Sequence, residues 1–175
     1  MLPRSVLIAL LLLGPAHAGP GGEAGRYVET DDYLRGAFPA EVPAAQTLWV
    51  TGELRESVER MLGHKFAVLR VRYWQDGSRS AWILDEIGKE LPITIGVTVE
   101  EGAIDNVRVL EFRESRGWEV RYPFFTDQFA DARLANGEQL DRPIDGITGA
   151  TMSVAAVTRI ARVALVMHEH VTQER

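Results

Sequence analysis

The stretch Asp145-Gly146-Ile147-Thr148-Gly149-Ala150-Thr151 leads into the last apolar segment of the chain, residues 153–168. Its two glycines favour a tight loop, because glycine inside a helix or strand costs roughly 0.5–1 kcal/mol relative to alanine. Residues 153–168 have the apolar spacing of an amphipathic helix, so Thr151 stands where a hydroxyl can cap free backbone N–H groups. Those N–H groups and the positive end of the helix dipole make the loop attractive to a phosphate.

The same heptapeptide resembles the flavinylation motif of FMN-binding domains, which occur in the covalent flavoprotein subunits of Rnf and Nqr redox complexes. In that family the last threonine carries FMN through a phosphoester bond, made by a flavin transferase from FAD with Mg²⁺. The resemblance implies that Thr151 is the acceptor. It also implies further cofactor-binding residues, namely Asp145, Gly146, Thr148, Gly149 and Ala150. The implied partners are the flavin transferase and electron donor and acceptor proteins, among them a membrane redox complex.

A second segment carries the resemblance further upstream. Glu114-Ser115-Arg116-Gly117 is similar to a Glu-Thr-x-Gly segment of the family, with serine in place of threonine, and phenylalanine-rich residues 124–129 follow. The resemblance therefore covers about residues 93–165, with its segments in the family's order. It implies cofactor contacts by Glu114, Ser115, Trp118 and Phe124, although a carboxylate at a strand end and a buried aromatic core are the ordinary alternatives.

Composition narrows the possible chemistry. The net charge of −6 excludes a basic field that would hold nucleic acid. With no cysteine, the chain has no disulfide, thiolate metal site, Cys-ligated iron–sulfur cluster or Cys-attached haem. Redox chemistry must then come from an organic cofactor or a His/carboxylate metal site. His168 and His170 are two apart on a helix and point in different directions, so we predict no metal site there and expect a solvated helix end.

The N-terminus has the pattern of a secretory signal. Arg4 precedes the apolar residues 6–13, and Ala16-His17-Ala18 has the small-residue pattern of a cleavage site. The apolar run is shorter than the about 20 residues that span a bilayer. Residues 1–18 therefore predict an exported, periplasmic protein, with the signal either cut or kept as a loose membrane anchor. Residues 19–45 are rich in glycine and proline and are predicted to form an irregular arm.

The remaining segments indicate one domain, residues 46–175, of the α+β class. Residues 47–62 have a helical apolar pattern that ends at Gly63. Two hairpins follow, formed by residues 66–74 with 80–84 and by residues 92–99 with 104–112, and residues 131–140 are predicted to be a surface loop. Because strands and helices do not alternate as βαβ units, we expect an antiparallel sheet packed by a few helices, with the C-terminal amphipathic helix after the flavinylation loop.

The resulting hypothesis is an exported electron-transfer protein with covalent FMN and no assigned catalytic residue. Two alternatives stay open from the sequence. The first is a cofactor-free exported module that helps to assemble a membrane complex, in which the glycine loop is only a helix entry. The second is a flavin-dependent reductase of a small substrate, for which no acid/base group is visible.

Overall fold

A computed structural model describes residues 25–173 of the chain. The predicted signal peptide and residues 19–24 of the predicted arm lie outside the described residues. The elements follow in the order β1 (Gly25–Arg26), α1 (Thr30–Ala37), β2 (Gln46–Trp49), α2 (Gly52–Leu62), β3 (Arg70–Asp76), β4 (Arg79–Ile87), β5 (Pro92–Glu100), β6 (Ala103–Phe112), α3 (Pro123–Thr126), β7 (Leu134–Ala135), β8 (Gln139–Leu140) and α4 (Thr151–Gln173). Short 3₁₀ turns lie at Trp118–Arg121 and Asp127–Phe129.

Six strands form one antiparallel sheet in the order β1-β6-β5-β4-β3-β2. Both predicted hairpins are present, β3 with β4 and β5 with β6, and the α+β class is confirmed. The turn between β5 and β6 needs two left-handed residues, Glu101 at φ +51° and Gly102 at φ +75°. The predicted surface loop contains a second, two-stranded pairing of β7 with β8 around Asn136 and Gly137.

Helices α4 and α2 cover one face of the sheet. The buried side of α4 includes Ile160, Ala164 and Met167, and that of α2 includes Val58 and Met61. These side chains share a single core with the inward-facing residues of β5, which are fully buried. Among residues 25–173, α4 alone has the length and apolarity of a membrane span, and 56% of its apolar window is buried inside this domain.

The opposite face of the sheet is covered by α1. Tyr33, Leu34 and Phe38 pack there against Trp74 and Leu110 in a second, smaller core. The prediction of an irregular arm is thus wrong for the described part of residues 19–45. Pro39 and Pro43 follow a helix of only two turns that contains Gly36. A helix this short is not stable alone, and burial of Tyr33, Leu34 and Ala37 against the sheet stabilises it.

Two further expectations are corrected. Residues 47–49 form part of strand β2 rather than a helix, and they pair with β3. Leu48 is buried and its neighbour Trp49 is exposed, as expected for a strand, in which successive side chains point to opposite faces. His168 is buried rather than solvated. Its Nδ1 lies 2.7 Å from the hydroxyl oxygen of Ser80, which also accepts the Trp82 indole N–H at 2.8 Å, and burial lowers the pKa of His168.

Candidate functional site at the start of the last helix

The loop before α4 is fixed by one buried residue among exposed neighbours. Ala150 is buried, and its N–H donates to the Ile147 carbonyl at 3.0 Å. Gly149 has φ +83°, in the left-handed region that glycine adopts without strain. Thr148 and Thr151 on either side are exposed, and Thr151 is the first residue of α4. The loop therefore presents two hydroxyl side chains to solvent at a helix start, where backbone N–H groups have no intrahelical acceptor.

The incoming half of the loop is bonded to the segment after α3. The Asp145 N–H donates to Gln128 Oε1 at 2.7 Å. The Arg142 guanidinium donates to the carbonyls of Ala130 and Asp131 at 2.9 and 3.1 Å. Asp145 and Gly146 are themselves exposed. These bonds set the direction from which the chain approaches α4.

Gly117 brings the second predicted segment against the loop. It has φ +86°, and a Cβ placed on it would lie 2.5 Å from Ser153 Oγ and 3.3 Å from Ala150 Cβ. Only a residue without a side chain lets the two backbones approach this closely. Ser115, two residues earlier, is exposed. The structure thus places the Glu-Ser-Arg-Gly segment and the Thr-Gly-Ala-Thr loop side by side.

A row of aromatic rings leads away from Gly117. Trp118 is half-buried and meets Tyr122 edge-on at 5.7 Å between ring centroids, and Tyr122 lies 6.2 Å from Phe124. Phe124 is 63% exposed, an unusual exposure for so large an apolar ring. Met152, beside Thr151, is also exposed. Trp118 and Phe124 are therefore more exposed than the fully buried Trp82 and Phe125.

Glu114 is buried and bonded to backbone. Its Oε1 accepts N–H groups from Lys89, Glu90 and Leu91 at 2.5, 2.5 and 2.9 Å, so the carboxylate closes the turn between β4 and β5. Burial opposes ionisation of this carboxyl, but the three N–H donors outweigh burial and the pKa of Glu114 lies below its ordinary value. One oxygen of Glu114 is thus committed to the protein, and a cofactor contact by this residue stays a prediction.

The sequence did not reveal a charged cluster beside that turn. Glu86 is buried in β4, where its Oε1 lies 3.0 Å from both His64 Nε2 and Arg159 Nε. Hydrogen bonds to the Lys65 carbonyl and to Glu86 raise the pKa of His64. Arg159 belongs to α4, so this cluster ties the helix to the end of β4. Within residues 25–173, no group of three or more His, Cys, Asp or Glu side chains suits a metal ion.

Residues 88–166 match the family model of the FMN-binding domain. Over these residues, which make up just under half of the chain, the protein is similar to FMN-binding domains. The match begins at the turn closed by Glu114 and includes β5, β6, the aromatic row, the loop and most of α4. It confirms the resemblance inferred over about residues 93–165. No curated protein matches the chain.

The residues around the loop fit FMN. An added Cβ at Gly146 or Gly149 would meet no atom within 4 Å, so the loop has open space beside these two glycines. The start of α4 offers N–H groups to a phosphate, and exposed rings lie along the neighbouring segment. When bound, FMN supplies the redox chemistry of the domain, and the protein supplies orientation and charge. The cofactor contacts of the individual residues stay predictions; these residues are Thr151, Thr148, Gly149, Ala150, Asp145, Gly146, Glu114, Ser115, Trp118 and Phe124.

Proposed function

We propose that this protein is an exported electron-transfer flavoprotein whose FMN is esterified to Thr151 by a flavin transferase. The observation that carries the proposal is the position of Thr151. Its side chain is exposed at the first residue of α4, inside the family match and two residues after the left-handed Gly149. An enzyme can therefore reach this hydroxyl without unfolding the loop.

The attachment step balances with FAD as the donor. The Thr151 hydroxyl oxygen attacks the phosphorus on the flavin side of the FAD pyrophosphate, and a P–O bond to threonine forms. The pyrophosphate P–O bond breaks, AMP leaves, and the threonine proton passes to a base of the transferase. The product is a phosphodiester that joins FMN to Thr151, with no change in the oxidation state of the flavin.

Export is part of the proposal and is supported by residues 1–18, which have the order of a secretory signal. A covalent bond has a physical advantage outside the cytoplasm, because a dissociated flavin would diffuse away from the exported protein. The absence of cysteine is consistent with a redox protein whose electrons reside on the organic cofactor.

The test is co-expression with a flavin transferase, followed by intact mass measurement of the denatured protein. We expect wild type to gain the mass of FMN less one water and to lose the mass of residues 1–18. Thr151→Ser keeps a hydroxyl and should retain some modification, whereas Thr151→Ala should have none. Thr47→Ala is the control, since it removes an exposed threonine hydroxyl outside the family match and should leave the modification intact. A modified Thr151→Ala protein would refute the assignment.

The alternatives give different results in the same preparation. Non-covalent FMN would leave yellow colour in the supernatant after acid precipitation. A cofactor-free assembly module would be colourless as purified from the exported compartment. A reductase would oxidise a reductant continuously with a small acceptor alone, whereas an electron carrier needs a protein partner to turn over.

A further inference from the structure

Arg121 lies among three aromatic rings beside the candidate site. The centre of its guanidinium is 4.2 Å from the centroid of Tyr27 and 5.0 Å from those of Trp118 and Tyr122. One guanidinium nitrogen also donates to the Tyr122 hydroxyl at 3.2 Å. A guanidinium over ring faces is attracted by their negative π-surface, and each ring restricts where the cation can move. Arg121 is therefore held in place.

Two parts of the chain build this arrangement. Trp118 and Tyr122 belong to the family domain, and Trp118 directly follows Gly117, which touches the loop. Tyr27 precedes α1 and lies outside the family match, where its N–H donates to the Leu110 carbonyl of β6 at 2.7 Å. The Tyr27 ring thus connects the N-terminal segment to Arg121, near the loop.

We propose that Arg121, held by Tyr27, is a positioning residue of the flavin site that orients Trp118 and stabilises negative charge on the reduced cofactor. The inference rests on the proposed function only in requiring FMN at this loop, whether covalent or not. It gives the N-terminal segment a role in the site that the family match does not assign.

The electrostatic reasoning follows from the surroundings of the cation. Arginine stays protonated at every working pH, so its charge is constant. The three rings place apolar surface against the guanidinium, and a charge acts more strongly through a medium of lower dielectric constant than through water. A fixed cation near a flavin favours the reduced anionic form over the neutral oxidised form. Removing the cation should consequently make the midpoint potential more negative.

The test compares charge-matched variants of the FMN-loaded protein by spectroelectrochemical titration. Arg121→Gln should shift the midpoint potential to more negative values, and salt should reduce this shift less than that of a fully exposed arginine, because Arg121 is only partly exposed. Arg116→Gln is the matched control, since it removes the same charge from an exposed residue of the neighbouring segment. Its shift should be smaller and should disappear with salt. Tyr27→Leu keeps the charge but loses the closest ring, so a shift smaller than that of Arg121→Gln is expected.

A second measurement addresses position without the cofactor. The near-ultraviolet circular dichroism of the flavin-free protein should change in the tryptophan region for Arg121→Gln and recover in part for Arg121→Lys, which keeps the charge without the planar fork. A thermal unfolding curve identifies any variant that has not folded. If Arg121→Gln does not fold, Arg121→Lys is compared with wild type instead.

The outcomes separate the two proposals. A flavin-containing wild type whose potential responds equally to Arg121→Gln and Arg116→Gln overturns this inference and leaves the proposed function intact. An unmodified Thr151 with FMN still bound overturns covalent attachment while the potentials continue to test Arg121. A wild type that binds no FMN overturns both.

Discussion

At the scale of single residues, Glu114 shows how a side chain predicted to contact the cofactor can instead bind the protein's own backbone. Its carboxylate oxygen takes three consecutive backbone N–H groups, which is the arrangement that otherwise binds a phosphate or another anion. Gly88 also packs against it, since a Cβ there would lie 2.9 Å from Glu114 Oε1. The charge of Glu114 therefore stabilises the turn at which the family domain begins.

We predict that Glu114→Gln lowers the free energy of unfolding by about 1–3 kcal/mol at neutral pH, because an amide oxygen accepts the same N–H groups without a charge. The folded-state pKa of Glu114 is lowered, so its contribution is fully present above the unfolded-state value of about 4.3. The contribution is lost as pH falls through the lower folded-state pKa. Urea unfolding across an acid pH series should show wild type and variant converging there.

Glu90→Gln is the control for this series, because it removes an exposed carboxylate from the same turn. Its effect should stay within about 0.5 kcal/mol. An equal loss in both variants would mean that the overall charge of the turn, rather than the buried hydrogen bonds of Glu114, determines its stability.

At the scale of elements, the sequence pattern was sufficient to predict a helix or strand wherever the spacing of apolar residues matches the buried side of that element. Alternation predicted the β5–β6 hairpin, and the 3.6-residue spacing predicted α4. The same reasoning failed for β2, where only pairing with β3 makes four residues a strand. It also failed for His168, whose burial depends on Ser80 from a distant strand. The loop was identified from its motif, but the contact of Tyr27 with Arg121 joins segments that no local pattern links.

The contact between the two motif segments can be measured at Gly117. We predict that Gly117→Ala destabilises the fold by about 1–3 kcal/mol, because its φ is +86° and the new methyl group would collide with Ser153 Oγ. Adding Ser153→Ala should recover part of the loss, since the closest atom is then gone. Chemical denaturation of the two single variants and the double variant gives the coupling energy.

Gly146→Ala provides the matched control for Gly117→Ala. Gly146 lies in the loop before α4, against which Gly117 packs. Its φ is outside the left-handed range, and an added Cβ meets no atom within 4 Å. We expect a change within about 0.5 kcal/mol. Strictly additive losses for Gly117→Ala and Ser153→Ala would contradict direct packing of the two segments.

At the scale of the whole molecule, the sheet is shared by two cores that differ in their relation to the family domain. The larger core lies under α4 and α2, and the smaller one lies under α1. Helix α1 precedes the residues of the family match, whereas most of α4 lies within them. The close contact of Tyr33 with Gly96, where a Cβ would lie 2.7 Å from the ring, ties α1 to β5. Tyr33 also hydrogen-bonds Thr98 at 3.0 Å. Strands β5 and β6 are therefore packed on both faces, so α1 should unfold together with the domain.

We predict that Leu34→Ala lowers the global free energy of unfolding by about 2–4 kcal/mol, because it opens a cavity between α1 and the sheet. Tryptophan fluorescence, to which the buried Trp82 of the larger core contributes, and far-ultraviolet circular dichroism should report one coincident transition at a lower urea concentration. Arg35→Ala is the control, since its side chain is 65% exposed on the same helix, and it should have little effect. If α1 were an independent appendage, Leu34→Ala would leave the fluorescence transition of the larger core unchanged. A coincident shift means that the segment preceding the family match belongs to the same cooperative unit as the candidate site.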